Sequence, residues 1–268
     1  MPQIAKVEGR RAFGEDPECY DKARPDYPDW IFEVLAERCG LRPGARTLEI
    51  GPGTGKATRR LLAAGADPLV AIEPDARLAA FLAESCASSA LAIINAPFEE
   101  AEPEGPFDLV ASATSFHWLE EDAALAKIAR LLRSEGWWAA WWNVFGDPAR
   151  RDPFHQATKE LLKGPWSPSQ TDPERRVGRP IPPELDADER RAAIERTGAF
   201  EEIEHRRSAW TLKLSTDQMV RLYATFSPIA LRPDREAVLE GLATIAEEQF
   251  GGRIMRNMTT SLYIARRR

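Results

Sequence analysis

Between Arg46 and Asn143 the chain alternates short apolar runs with amphipathic stretches. RTLEI (46–50), PLVAIE (68–73), LAIIN (91–95), FDLVASA (107–113) and GWWAAWWN (136–143) are apolar runs bounded by turn residues, and each predicts a strand. Between them, KATRRLLAAGA, DARLAAFLAES and EEDAALAKIARLLRSEG carry helical periodicity. The first is expected to stop near Gly65, the second to be capped by Asp75, and the third to end at Gly136. Near-continuous apolar strands alternating with helices predict a parallel sheet covered on both faces, an α/β fold. Trp137 and Trp141 share one face of the fifth strand, and Trp138 and Trp142 the other. Tryptophan on both faces fits burial under helices better than a stacking platform for a ligand, so only Trp142 and Asn143, at the strand's end, are candidates to border one.

Beyond Asn143 the pattern changes. Residues 146–185 are rich in proline and arginine, with one helix-like piece near 153–162, and read as a cap insertion. Residues 186–268 then give a helix (DADERRAAIERTGAF), one or two strands (FEEIEHRRSAWTLKLS), two helices (TDQMVRLYATFS and DREAVLEGLATIAEEQF) and a last strand (MTTSLYIARR).

The loop after the first strand, Gly51-Pro52-Gly53-Thr54-Gly55-Lys56, invites comparison with a phosphate loop. Its spacing is too short: three residues, not four, separate Gly51 from Gly55, and Ala57 stands where a magnesium-binding hydroxyl is required. The dinucleotide fingerprint fails too, because Lys56 replaces the third glycine. What remains is Glu49-x-Gly51-x-Gly53-x-Gly55. A carboxylate at a strand end repels phosphate and attracts a cation, so the ligand expected here has a nucleoside part and a positive part. Glu73 ends the next strand at the distance a strand–helix–strand unit implies. Taken alone, Glu73 reads as a surface residue in a turn before Pro74, and Glu49 as a cap for the loop's own N–H groups.

E-x-G-x-G-x-G resembles the first motif of class I methyltransferases, which bind S-adenosylmethionine. That resemblance implies a Rossmann-like seven-stranded, mostly parallel sheet of order 3-2-1-4-5-7-6, with 41–145 as the cofactor-binding core and 186–268 completing the sheet and covering the substrate. It implies that Glu49 orients the loop and the methionine ammonium, that Gly51, Pro52, Gly53 and Gly55 approach the cofactor, and that Glu73 and Pro74 lie at the ribose. The segment CYDKARPDYP, within 1–40, resembles the cofactor-closing segment of a small-molecule subgroup that includes trans-aconitate methyltransferase-like proteins. By that resemblance Tyr20 and Arg24 lie near the methionine end. Many family members hold the adenine amino group with an acidic side chain after the third strand. Here Ala96 and Pro97 stand instead, leaving the packing of Phe98 and backbone contacts. FDLVASATSFHWL resembles the fourth motif: Asp108 is structural, and Ser112, Ala113 and Thr114 run past the methionine part. His117 is either a general base or, with Trp118, the floor of the substrate pocket.

The remaining chemistry narrows the class. A formal charge of −6 disfavours nucleic acid as the substrate. Cys19, Cys39 and Cys86 have no metal-binding spacing and cannot all pair, which fits a reduced cytoplasmic setting. No signal peptide or membrane-length apolar run is apparent, and neither His155 nor His205 has a metal-binding neighbour in sequence. Arg150, Arg151, Arg175, Arg176 and Arg179 cluster in the cap region and read either as solvated side chains or as an attraction for an anionic acceptor. The expected activity is methyl transfer from S-adenosylmethionine to a small molecule, with S-adenosylhomocysteine as product and no metal. The alternatives are a cofactor-binding sensor or partner protein without catalysis and, with less in its favour, a phosphate-loop ATP-binding protein.

Overall fold

The computed structural model describes residues 14–163 and 181–268. Its elements are α1 (Pro17–Ala23), α2 (Asp29–Arg38), β1 (Ala45–Ile50), α3 (Lys56–Ala63), β2 (Ala66–Ile72), α4 (Ala76–Ser85), β3 (Leu91–Ile94), β4 (Phe107–Ala113), α5 (Glu121–Leu131) and β5 (Leu132–Phe145). There follow α6 (Pro153–Thr158), α7 (Ala187–Arg196), β6 (Phe200–Ser215), α8 (Thr216–Ala224), α9 (Ser227–Ala230), α10 (Arg235–Phe250) and β7 (Arg253–Arg267). The seven strands form one sheet of order β3-β2-β1-β4-β5-β7-β6, as the family resemblance implies. Strands β1 to β5 pair in parallel.

The described residues divide into two compact units. One comprises Asp26–Asn143, Pro183–Arg207 and Thr260–Arg268; the other, the described parts of Met1–Pro25, Val144–Pro182 and Ser208–Thr259. In the first unit, Ile31, Phe32, Val34 and Leu35 of α2 and Ala57 and Leu61 of α3 pack on Leu69, Leu109, Trp137, Ala139 and Trp141 of the sheet. On the opposite face Trp138 meets Phe116, ring centroids 5.1 Å apart. The paired tryptophans are therefore core on both faces. The indole N–H groups of Trp138 and Trp141 are buried without a partner. Burying each ring contributes about 4–6 kcal/mol, which outweighs the roughly 1–3 kcal/mol cost of an unsatisfied donor.

The second unit has its own core, in which Phe154, Met219, Tyr223, Ile229, Val238, Leu242, Ala246 and Ile254 pack together. There the buried Arg256 donates Nε to Asp152 Oδ2 at 3.0 Å, and Asp152 also accepts the N–H groups of His155 and Asn257. Among the described residues, no helix is long and apolar enough to cross a membrane.

The junction of α5 and β5 differs from the sequence reading. Helix α5 stops at Leu131, not Gly136, because Leu132 pairs with Phe107 and begins β5 four residues early. The extra residues form a bulge in which Glu135 has φ 63° and Arg133 donates to Asp108. Tertiary pairing overrides a helical pattern here, since the fully buried Leu132 satisfies strand and helix periodicity equally. The segment read as one or two strands after residue 200 is a single strand, β6.

Candidate cofactor and substrate site

Strand β1 lies between β2 and β4, so the connections leave its two sides in opposite directions. This switch point is where open parallel sheets bind ligands, beyond the strands' C-terminal ends. The loops after β1 and β4 meet here. Gly51, Gly53 and Gly55 all have left-handed backbone, with φ 66°, 59° and 87°. A Cβ at Gly51 would stand 2.6 Å from Ser115 Cβ, and one at Gly55 2.6 Å from Leu82 Cδ1. Glycine is therefore required twice over, by conformation and by space. Pro52 is buried, while Gly53 is partly exposed with open space above its Cα.

The two carboxylates divide their work differently from the sequence reading. Glu73 caps the loop: Oε2 accepts from Gly53 N–H and Oε1 from Asp75 N–H, each at 3.0 Å. It is only 4% exposed, so it is not a surface turn residue, and Pro74 beyond it is exposed. Glu49 does not cap the loop. It is fully buried, its Oε2 accepts from Thr58 Oγ1 at 2.6 Å, and its Oε1 has no partner. Burial is the main cause that pushes its carboxyl up to about 7; the Thr58 bond opposes, the charge of Glu73 adds, and that of Arg59 opposes. An ionised, half-satisfied carboxylate is costly inside a protein unless a cation or donors reach it. The site fits a ligand with a positive group near Glu49 and hydroxyls near Glu73.

At the end of β4, Ser112 and Ser115 share a 2.6 Å hydroxyl contact, and Ser115 Oγ donates to Ile50 O at 2.5 Å. Ser115 was not singled out in sequence, yet it ties the β4 turn to the glycine loop. Ala113 and Thr114 are partly exposed. Thr114 has φ 55°, rare for a β-branched residue. Asp108, at the start of the strand, accepts from Arg46 N–H and Arg133 Nε and is structural, as expected.

At the adenine side, Ala96 and Pro97 are partly exposed, but Phe98 is 3% exposed with Lys127 Nζ 5.2 Å from its ring centroid. Phe98 is a core residue and offers almost no face to a base. Lys127 pins this turn by donating to the carbonyls of Glu99 and Ala101. Asn95 Nδ2 donates to Glu73 O at 2.8 Å, a link invisible to local pattern.

His117 lies in a short 3-10 turn, Phe116–Trp118, and its Nδ1 accepts from Trp142 Nε1 at 3.0 Å. In the neutral ring this leaves the proton on Nε2, so neither nitrogen presents a free lone pair. Trp118 and Trp142 are buried wall, with Arg190 5.3 Å from the Trp142 ring centroid. Asn143 is partly exposed and bridges Asp26 O and Thr260 Oγ1.

Tyr20 and Arg24 belong to the second unit. There Arg24 donates to Thr225 O at 3.0 Å and lies over the rings of Tyr20 and Phe226. Arg150 is taken up by the carbonyls of Trp210 and Met258, and Arg151 is exposed. Arg175, Arg176 and Arg179 lie outside the described residues. His205 stacks on Tyr263 and bonds Ser261.

Comparison with known proteins bears on the family and the fold. A family model described as a methyltransferase domain matches residues 48–140, from β1 into β5. An uncharacterised methyltransferase of Geobacillus kaustophilus is 33% identical over 159 residues, covering 55% of this chain and 71% of that protein. The chain belongs to the class I S-adenosylmethionine-dependent methyltransferase family. An uncharacterised methyltransferase of Schizosaccharomyces pombe is 32% identical over 134 residues, 50% of this chain and 53% of that one. The chain thus spans about half the length of the Schizosaccharomyces pombe relative. Among solved structures, the YcgJ protein of Bacillus subtilis superposes with TM-score 0.56 at 16% identity, covering 90% of this chain and 99% of that one. The [4+2]-cyclase SpnF superposes with TM-score 0.57 at 15% identity, covering 99% and 98%.

Proposed function

We propose that this member of the family transfers a methyl group from S-adenosylmethionine to a small-molecule acceptor. The observation that carries the proposal is the fully buried Glu49 with its unpartnered Oε1 beneath the glycine loop. Such a group calls for a cationic ligand, and the loop is built for close backbone approach. In this reading Glu49 takes the ammonium end and the backbone of Gly51, Pro52, Gly53 and Gly55 follows the ligand. Glu73 takes the ribose hydroxyls, Ala96 and Pro97 border adenine, and Ser112, Ala113 and Thr114 run along the methionine part. S-adenosylmethionine, when bound, supplies a methyl group on a positively charged sulfur, already activated toward a nucleophile. The protein's part is to align the reactants and exclude water.

The RPxYP and FHW segments support the small-molecule subgroup resembling trans-aconitate methyltransferase-like proteins. His117, held by Trp142, shapes the pocket floor with Trp118 and Asn143 and is not the base. Titration calorimetry is expected to show binding of S-adenosylhomocysteine at micromolar concentration and much weaker binding of ATP. Magnesium-dependent ATP binding without S-adenosylhomocysteine binding overturns the reading. The competing reading, a cofactor-binding protein without methyl transfer, has in its favour that a cyclase shares the fold, since fold does not dictate chemistry. Binding of S-adenosylmethionine with no methyl release across a panel of hydroxyl, amine and carboxylate acceptors would favour it.

A further inference from the structure

The segment Asp26–Pro28 crosses the C-terminal ends of three strands. Asp26 Oδ1 accepts from Lys56 Nζ at 2.8 Å, at the start of the helix after the glycine loop. Its carbonyl accepts from Asn143 Nδ2 at 3.1 Å, at the end of β5. Between these anchors the Tyr27 hydroxyl donates to Thr114 Oγ1 at 2.9 Å, just past β4, while its ring stands edge-on to Trp141 with centroids 5.8 Å apart. Thr114 is the residue whose backbone is strained at φ 55°, and its N–H donates to Trp141 O at 2.7 Å. A β-branched residue leaves the left-handed region unless its surroundings hold it there. The next residue, Ser115, bonds Ile50 O and stands where a Cβ on Gly51 would be. Any relaxation of Thr114 therefore moves Ser115 against the glycine loop.

We propose that Tyr27 is a positioning residue for the cofactor: its hydroxyl holds Thr114 in the left-handed conformation, and through Ser115 this fixes the two lips of the cofactor cleft. The inference rests on the cofactor reading above. The strain is retained at Thr114 because the turn it creates aims the Ala113 and Thr114 backbone at the cleft.

The test is a double-mutant cycle read by calorimetry with S-adenosylhomocysteine, with thermal melting of each unliganded protein alongside. Tyr27→Phe keeps the ring against Trp141 and is expected to weaken binding by roughly three- to tenfold, the worth of one neutral hydrogen bond. Thr114→Val removes the acceptor instead and is expected to lose the same amount. This second variant decides the matter should Tyr27→Phe fold poorly. Glycine adopts φ 55° without support, so in a Thr114→Gly background Tyr27→Phe is expected to cost less than twofold. Unchanged affinity in both single variants overturns the proposal. So does an equal loss in the threonine and glycine backgrounds, because the hydroxyl would then act independently of the Thr114 backbone. A fall in melting temperature without a fall in affinity assigns Tyr27 to stability alone and also overturns it. If the parent protein binds no S-adenosylhomocysteine, the cofactor reading itself fails, an outcome distinct from parent binding that the variants leave unchanged.

Discussion

Replacing Glu49 by Gln tests the central physical claim, that an acid is buried for the sake of a cationic ligand. The fold raises the Glu49 carboxyl from 4.5 to about 7, chiefly by burial, which corresponds to about 3 kcal/mol. Between these two values the folded protein holds a proton that the unfolded chain has released. Stability of the unliganded protein therefore falls as pH rises from 4.5 to about 7 and levels off above. Gln keeps an oxygen for Thr58 Oγ1 but cannot ionise, so this part of the slope vanishes. The absolute stability of the variant also reflects a newly buried amide, so the slope is the quantity to compare. Urea unfolding at pH 5 and pH 8 is expected to show a loss in the parent that exceeds the loss in Glu49→Gln by about 2–3 kcal/mol, part of the shift being already expressed at pH 5. Saturating S-adenosylmethionine should remove most of that difference, because the cation takes the place of the proton. Below about pH 7, affinity for S-adenosylmethionine should fall by up to about tenfold per pH unit in the parent and stay flat in the variant. Parallel stability slopes for the two proteins would refute the reasoning, since Glu49 would then titrate alike in the folded and unfolded states.

The other sites make separate predictions. Glu73→Ala should weaken S-adenosylhomocysteine binding by at least about tenfold, since each hydrogen bond to a charged acceptor is worth roughly 1.5–3 kcal/mol. It should also lower the melting temperature, because Gly53 and Asp75 lose the acceptor for their N–H groups; calorimetry and melting check the two parts. Long-range proton–nitrogen NMR should find Nδ1 of His117 unprotonated in the neutral ring, as the bond from Trp142 requires. A proton on Nδ1 in that ring would reopen the case for a base at Nε2. Gly55→Ala should cost more than about 2 kcal/mol by urea unfolding, because φ 87° and a 2.6 Å approach to Leu82 act together.

The amino-acid sequence by itself determined the elements that depend on neighbours along the chain. Apolar runs one strand long mark β1 to β5, and Asp75 does cap the helix after β2. The glycine loop with Glu49 before it and Glu73 a strand–helix–strand unit later was legible because its glycines answer to local φ values. Tryptophan on both faces of β5 was legible as core for the same reason: strand periodicity is two, and both faces are covered. What the tertiary structure alone decided are the partnerships across long stretches of sequence. Tyr27 meets Thr114 across 87 positions, and Ser115 reaches Ile50 across 65. Nothing in the pattern around either residue announces its partner. The division of labour between the carboxylates was hidden likewise: both end strands, but only three-dimensional packing gives Glu73 two backbone donors and leaves one oxygen of Glu49 with none. His117 shows the same limit, for an imidazole's role depends on which nitrogen is occupied, and Trp142, 25 residues on, occupies Nδ1. Local conformation is set by steric preferences of a few successive residues, whereas a side chain's protonation and bonding are set by whatever the folded chain brings against it.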